Sequence, residues 1–463
     1  WRVRPTPGSH AGEGDDPDEA GPAGAGSTAS GDAKLGGAPE EKSGHAEERS
    51  AEPVRWELAN GTVLVVQSLP QAPMVGASVM IRGGQWAEPR DLPGLAAFTA
   101  RLLDRGAAGK SQAELADQLA ALGSTLHSRA MPDYIEVQLD SPAAHHRAAL
   151  ELLADVIAGP TFPKTEAEKV RAEMLADLRS MPDRPFENTN RYFREKLYAV
   201  SPYRRPVLGT ESAVAAFSGE AARAFTMNNF LGTNTVVVVA GPVDPAVVRG
   251  WCERRFGVLS RGEPIRLGGL ERPRQASVDT LVAREQEQVT FNTGWTAVPF
   301  THADYVPLRC AVAVLSDRFF YKYVYEKSVA YRSWFLYNRA LGPGSIHNEM
   351  GVSPEVYPEI SREVLRDVES FLESPIPEAE YKAAIAKTLA RESLRTQTSA
   401  ALASDLAFWE LSGKGVRGWA GLRDEIRGVK REQALAVARR YLNPEAFVRV
   451  AVGPSDRVPK KSG

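Results

Sequence analysis

The chain has 463 residues, of which 43% are hydrophobic and 25% charged, and its 56 basic and 58 acidic residues leave a net charge of −2. This balance is ordinary for a globular protein with a sizeable core and gives no indication of binding to nucleic acid or to an anionic membrane surface. No run of residues approaches the roughly 20 apolar residues of a membrane span. The length favours one large domain or two to three ordinary ones.

Residues 1–52 consist mainly of Ala, Gly, Glu, Asp, Ser and Pro. A segment with so few apolar side chains cannot offset the entropy of ordering, so we predict a disordered tether. Such a beginning is typical of exported or lipid-anchored proteins, which favours the periplasm or cell envelope and leaves the cytoplasm open. Because the chain begins at Trp1, a preceding signal peptide or lipid anchor also stays open.

Residues 53–257 are predicted to form an α+β domain, an antiparallel sheet with helices on one face. A hairpin with a type I′ turn is expected around Asn60-Gly61. The remaining strands and helices follow from periodicity and end signals. They are strands in MVGASVMIRGG, STLHSRA, DYIEVQLD and TVVVVAGP, and helices near 94–105, 111–122, 142–158, 165–180, 187–199, 218–229 and 244–256.

A linker rich in Gly, Arg and Pro is predicted at 258–275, followed by a second α+β domain at 276–456 and a tail at 457–463. Two pairs of similar segments suggest that the domains are duplicates. VVVVAGPVD ends near Gly241 and VRVAVGPSD near Gly453, while PTFPKTEAEK contains Pro163 and SPIPEAEYK contains Pro377. The two pairs are separated by nearly the same number of residues.

The cysteines and histidines do not indicate a metal site. Cys252 and Cys310 lie in no C-x-x-C or Cys/His cluster, which favours two buried thiols and leaves a single disulfide open. The pair His145-His146 precedes an amphipathic helix and is expected at the surface. Three further histidines are isolated in the sequence, namely His127, His302 and His347.

Four segments, in this order, resemble the insulinase, or mitochondrial processing peptidase, family of pitrilysin-like zinc metallopeptidases. They are GGQWAEPRDLPGLAAF, SPYRRPVLGT, NNFLGTNTVVVVAGPVD and DRFFYKYVYEKSVAY. The resemblance to half-size members of this family implies two duplicated domains, each a sheet backed by helices, which together form half of a clamshell.

The family's zinc motif H-x-x-E-H is replaced in this chain. Two His at i and i+4 share one helix face and bind zinc, and the Glu activates a water. The resemblance places Ala97, Ala100 and Arg101 at these positions, and Asp177 at the third ligand. Arg101 is a fixed cation where a dication would bind, so we expect no catalytic residue and no cofactor here. We hypothesise that Arg101 pairs with Asp177 between two helices; the alternative is that both are solvated.

Substrate contacts are also altered. The family holds peptide with an Arg and a Tyr of the second domain; the Tyr aligns with Tyr331, whereas the Arg falls on Val324, or on Tyr325 after a shift of one residue. The dense aromatic residues at 319–337 are expected in the core or an interface. The strand GASVMIRG has no Pro and one charge, so we predict an edge strand able to accept an extended peptide.

The resemblance implies a non-catalytic subunit that forms a heterodimer with a zinc-bearing homologue and encloses a peptide chamber. Zinc is then expected in the partner and not in this chain. Two alternatives stay open: a structural subunit without proteolysis, as in the core proteins of respiratory complex III, and a metalloendopeptidase with unfamiliar ligands.

Overall fold

A computed structural model describes residues 52–268, 271 and 274–454. The predicted tether, except Glu52, and the predicted tail at 457–463 lie outside the described residues. The strands of the described part are β1 Val54–Glu57, β2 Val63–Ser68, β3 Met74–Arg82, β4 Gly106–Ala107, β5 Lys110–Ser111, β6 Thr125–Ala130, β7 Tyr134–Pro142, β8 Thr235–Gly241, β9 Val278–Ala283, β10 Val289–Ala297, β11 Ser333–Asn338, β12 Gly344–Val352 and β13 Val448–Gly453.

The α-helices of the same part lie close to their predicted positions in the first half. They are α1 Leu95–Leu102, α2 Gln112–Ala121, α3 His146–Ala158, α4 Lys164–Ser180, α5 Pro185–Leu197, α6 Glu211–Ala215, α7 Gly219–Asn229, α8 Pro245–Phe256, α9 Tyr305–Phe320, α10 Tyr357–Glu373, α11 Glu378–Arg395, α12 Ser399–Ser412, α13 Gly415–Gly428 and α14 Arg431–Tyr441. The helix predicted from 142 begins only at His146, because Pro142 is the last residue of β7.

Two sheets repeat one strand order, which confirms the duplicated α+β architecture. The first runs β1-β2-β8-β3-β7-β6, and the second, read from its opposite edge, β9-β13-β10-β12-β11. In each sheet the last strand in sequence pairs in parallel with one neighbour and antiparallel with the other. Gly241 and Gly453 end these two strands, and Pro163 and Pro377 precede α4 and α11 with nearly identical backbone angles.

The core follows from the alternation of side chains along the strands. In β3, Val75 and Val79 pack into one core with α1, α3 and α8, whereas Met80 points to the opposite face and joins the other core. Both faces of β3 are therefore buried. This burial explains why the strand reads as a nearly continuous apolar run.

One helix of each half crosses to the sheet of the other half, so the prediction that helices cover one face only is wrong. Helix α5 packs on β10 and β13, and α12 packs on β2, β3, β7 and β8. A Cβ at Gly76 of β3 would lie 2.1 Å from the backbone nitrogen of Ala400 in α12, so only glycine permits this approach. Because of this exchange, the described residues form one compact unit. The boundaries given to the two domains stay a prediction.

Two local predictions also need correction. The strand in GASVMIRG is not at an edge: β3 is bonded on both sides, to β7 and β8, because β8 inserts from far along the chain. The first hairpin forms, but residues 58–62 connect its strands instead of a two-residue turn at Asn60-Gly61.

Both cysteines are free and buried, as the sequence favoured, and burial raises the pKa of the Cys252 thiol to about 12 and of the Cys310 thiol to about 11. The aromatic segment is divided between core and surface. Tyr323 is buried, whereas Tyr321 and Tyr325 are exposed on a π-helical turn that continues α9. No helix within the described residues is long and apolar enough to cross a membrane.

Candidate functional site

Helix α1, which carries the altered motif, is fixed at its first turn by a buried carboxylate. Glu88 Oε1 accepts hydrogen bonds from the backbone nitrogens of Gly94 at 3.0 Å and Ala96 at 3.1 Å. Burial raises the pKa of Glu88 to about 7, although these two N–H groups and the Arg205 guanidinium oppose the rise. A negative charge suits a helix N-terminus. This cap was not predicted from the sequence, because Glu88 lies seven residues before the first residue of the helix.

The altered motif faces α4. Ala97 and Ala100 are buried in the helix layer, and the Arg101 Nη1 donates to Asp177 Oδ2 at 2.7 Å. The hypothesised ion pair between the two helices is therefore present. The Arg101 side chain is 13% exposed and that of Asp177 38%, so the pair is only partly shielded from water and its contribution to stability should be modest.

These residues do not fit a zinc ion. The two alanines have no donor atom, and the one carboxylate is already bound to a guanidinium, which would repel a dication. In residues 52–268, 271 and 274–454, no group of three or more His, Cys, Asp or Glu side chains is placed to hold a metal ion.

An edge strand lies beside this site. In the part of the chain that the structure describes, β6 pairs only with β7, so its outer backbone groups face away from the sheet. Ser128 of β6 donates a side-chain hydrogen bond to the carbonyl of Ala100. The next residue, Arg129, is fixed by Glu136 at 2.8 Å. The edge strand of the first sheet next to α1 is thus β6, and not β3.

Tyr331 is exposed, and its ring contacts Phe186 of α5 edge to face, with the centroids 5.9 Å apart. The Arg332 guanidinium lies 5.0 Å from the Phe186 ring and 5.1 Å from that of Trp334, and 3.4 Å from Glu349. Sequence reasoning missed Arg332 because it stands outside the family's motif. A guanidinium therefore adjoins Tyr331, although neither of the two aligned positions supplies one.

A short segment connects Tyr331 with the altered motif. The Arg184 Nη2 donates to the carbonyl of Asp177 at 3.2 Å, and Phe186, which contacts Tyr331, follows two residues later. Residues 177–186 therefore begin at Asp177, the partner of Arg101, and end at Phe186, which contacts Tyr331.

Two family models match adjoining parts of this architecture. The model described as insulinase (peptidase family M16) matches residues 63–211, and the model described as peptidase M16 inactive domain matches residues 216–388. The chain belongs to the insulinase family of peptidases.

Relatives agree with this family. An uncharacterised zinc protease of Bacillus subtilis is 24% identical over 282 residues, which cover 60% of this chain and 68% of the relative. A crystal structure of a peptidase M16 inactive domain from Pseudomonas fluorescens has a TM-score of 0.81 at 19% identity, covering 87% of this chain and 98% of that one. A periplasmic protease of Escherichia coli has a TM-score of 0.74 at 15% identity, over 88% of this chain and 46% of that one. The two structural likenesses show the fold alone.

The family segment SPYRRPVLGT has a structural role here. The Tyr203 hydroxyl donates to Asp133 and accepts from the backbone nitrogen of Gly342 at 2.9 Å, while Asp133 accepts from Leu341 at 2.8 Å. This buried group ties the β6–β7 turn to a loop of the second half. Burial raises the pKa of Asp133 above its ordinary value despite the hydrogen bond from Tyr203.

The histidines of the described residues form no common site. His146 Nδ1 lies 2.6 Å from the carbonyl of Ala143, and His302 Nδ1 accepts from the backbone of Asp304 at 3.1 Å. His347 of β12 differs, because it is 1% exposed and neither ring nitrogen has a hydrogen-bond partner among the described residues. Burial, with Arg194 and Arg332 nearby, lowers the pKa of His347 to about 3.

Proposed function

We propose that this insulinase-family chain is a subunit without catalytic activity of its own, which pairs with a zinc-bearing homologue and forms part of a peptide chamber. The observation that carries the proposal is the ion pair between Arg101 and Asp177. Arg101 aligns with a histidine ligand and Asp177 with the third ligand. The Arg101 guanidinium compensates the negative charge of the Asp177 carboxylate, as a bound zinc ion would, and it links α1 to α4 in the metal's place.

The proposed contribution to peptide binding is backbone pairing at β6. Its outer edge is unpaired in the described structure and adjoins α1 through Ser128. An extended peptide can add there as a further strand. Tyr331, and Arg332 beside it, supply a hydroxyl and a guanidinium as further contacts. Zinc, and with it the cleavage chemistry, is assigned to the partner.

We place the protein in the periplasm or cell envelope. The support is the polar composition of residues 1–52 and the fold shared with a periplasmic protease of Escherichia coli.

The test begins with the full chain purified without chelators, its zinc content measured by mass spectrometry, and its activity assayed on a panel of fluorogenic peptides. We expect far less than one zinc per chain and no cleavage. A homologue from the same genome with an intact H-x-x-E-H is then added. We expect a complex by light scattering after gel filtration, and faster cleavage than by the homologue alone.

Two results would redirect the assignment. One zinc per chain together with cleavage would establish a metallopeptidase with unfamiliar ligands. A homologue that is fully active alone and forms no complex at micromolar concentration would favour the non-proteolytic structural subunit. Tyr331→Phe in the mixture should weaken peptide binding by about one hydrogen bond, roughly 0.5–1.5 kcal/mol. Tyr321→Phe, equally exposed on the π-helical turn, is the matched control.

A further inference from the structure

Unpaired buried polar atoms concentrate where the first half of α5 covers the second sheet. Of nineteen buried side-chain nitrogen or oxygen atoms without a partner in the described residues, nine belong to seven residues of this region. We name these residues the α5 seam: Arg184, Asn188, Asn190 and Arg191 at the start of α5, and Asn292, Arg332 and His347 from the sheet side. Burying a polar atom without a hydrogen-bond partner is unfavourable, so the closed contact between α5 and the sheet is destabilised relative to one that admits water.

The sheet side of the seam is set by strand register. Thr290 of β10 meets Thr189 of α5, with their hydroxyl oxygens 2.7 Å apart. Asn292 points to the same face two residues later and is fully buried, with both its amide nitrogen and its amide oxygen unpaired. Asn292 stands opposite Glu349 of β12, and His347 follows on the same face.

The second half of α5 is held differently. Phe193 and Leu197 form a small apolar cluster with Val448 and Val450 of β13. Phe193 also contacts the His347 ring, with the centroids 5.0 Å apart. Apolar packing thus anchors the C-terminal half of α5. Its N-terminal half covers polar atoms that have no hydrogen-bond partner in the described structure and that water could hydrogen-bond.

We propose that residues 184–191, the first half of α5, open from the second sheet as a local unit and admit water to Asn292 and His347, while Phe193 and Leu197 stay in place. Opening breaks the hydrogen bonds of the Thr290 hydroxyl with Thr189 and with the carbonyl of Pro185 at 3.4 Å, and it hydrates the unpaired atoms. Because Phe186 contacts Tyr331 and Arg332 in the closed form, the same movement uncovers both side chains. The opening does not depend on the subunit role proposed above.

The first experiment is native-state hydrogen exchange with a reversible clamp. The Thr189 and Thr290 hydroxyls are close enough for the double variant Thr189→Cys with Thr290→Cys to form a disulfide. Ser124 and Ser141, whose hydroxyl oxygens are 2.9 Å apart outside the seam, are changed to Cys as the matched control clamp.

In the reduced chain, the amides of 188–192, which are hydrogen-bonded within α5, should exchange about 100-fold faster than the central amides of β3 and β8, as expected for local opening. Oxidising the seam clamp should slow them by about tenfold or more, whereas the control clamp should change them less than about twofold. Exchange of the seam in step with β3 and β8, or an equal response to both clamps, overturns the proposal.

A second measurement uses the unaltered chain, so it does not depend on a variant folding. Diethyl pyrocarbonate acylates a neutral imidazole that water can reach, and Cys252 and Cys310 are buried thiols that report exposure of the two cores. With rates normalised to the unfolded chain, His347 should be modified about 100-fold faster than the thiols are alkylated. Equal normalised rates would show that His347 becomes exposed only on global unfolding and would overturn the proposal.

Discussion

Helices α5 and α12 occupy equivalent places in the two halves, since each follows the long helix after a proline cap and crosses to the opposite sheet. Their contacts differ in kind. Helix α12 lies against bare backbone at Gly76, and Ser399 donates to the carbonyl of Met74 at 3.0 Å. In α12 together with the strands it covers, the described structure leaves one buried side-chain atom unpaired, the Trp409 Nε1, whereas the α5 seam leaves nine.

The difference shows that equivalent helices of the two duplicated halves can make contacts of different kinds. Asp405 of α12 binds Arg339 and Trp419, each at 2.9 Å, so the charge that α12 buries is compensated. Under α5, the amide of Asn292 and both ring nitrogens of His347 lack such partners among the described residues. We infer that α12 fixes the two halves together and that α5, which lies between Asp177 and Tyr331, is the part able to move.

A substitution at Gly76, where β3 lies closest to the backbone of α12, should cause the largest loss of stability. Gly76→Ala places a Cβ 2.1 Å from the Ala400 backbone, which cannot yield as a flexible side chain would. We expect a loss of about 3 kcal/mol in the free energy of unfolding, measured by urea denaturation. Gly351→Ala is the control under α5, where the nearest atom is the ring tip of Phe186 at 3.1 Å. An equal loss in both variants would remove the distinction between the helices.

Truncating one polar group in each helix contact should give effects of opposite sign. Asp405→Ala removes the carboxylate that binds Arg339 and Trp419, and should cost about 3 kcal/mol, because breaking a buried pair leaves its charge uncompensated. His347→Leu removes an unpaired imidazole and should stabilise the chain by about 1 kcal/mol. Thermal and urea unfolding of both variants test this contrast. Destabilisation by His347→Leu would mean that the imidazole has a partner in solution.

The stability of the chain should also depend on pH in opposite directions through one residue of each half, His347 and Glu88. Burial lowers the pKa of His347 from the ordinary 6.5 to about 3 in the folded chain. Between these two pH values the imidazole is neutral in the folded chain and protonated in the unfolded chain. Its contribution is therefore lost as the pH falls below 6.5. Between pH 7 and pH 5, the advantage of His347→Leu over the unaltered chain should grow by about 2 kcal/mol.

The groups facing His347 do not change the sign of this difference. The Arg194 and Arg332 side chains and the raised pKa of Glu349 are common to both chains. Glu88 supplies the opposite case in the first half, since its pKa is raised to about 7. Its stabilisation is present below 4.5 and lost as the pH rises through 7, so Glu88→Gln should lose about 2 kcal/mol relative to the unaltered chain between pH 7 and pH 5. Parallel changes in the two variants would contradict the folded-state pKa values.

Local pattern predicted most helices of the first half, and the duplication was visible at Pro163 and Pro377. What sequence could not supply was long-range placement. Nothing in the run around β3 shows that β8 inserts beside it, and the amphipathic pattern of a helix does not say which sheet it covers. The ion pair between Arg101 and Asp177 was predictable only because the family frame set both positions. Arg332 and the α5 seam depend on strand register, which no local pattern fixes.

The smallest expected effect is the coupling energy of two ion pairs, one between α1 and α4 and one between the equivalent helices α9 and α11. Arg101 joins α1 to α4 through one contact of 2.7 Å to Asp177, and Arg318 joins α9 to α11 through both oxygens of Glu380. Both pairs are partly exposed, with side chains 13% and 38% exposed in the first and 31% and 27% in the second. Solvent screening should therefore limit each coupling energy to about 1 kcal/mol.

Double-mutant cycles with alanine at each pair of positions measure these two couplings. We expect the two-contact pair of Arg318 to couple more strongly, because a bidentate guanidinium–carboxylate pair is better oriented. A coupling above about 2 kcal/mol for Arg101 and Asp177 would instead mean that this pair is shielded in solution, for instance by a partner that covers α1 and α4. Adding the zinc-bearing homologue to the same cycle separates these cases, since only a covering partner would raise the coupling of Arg101 and leave that of Arg318 unchanged.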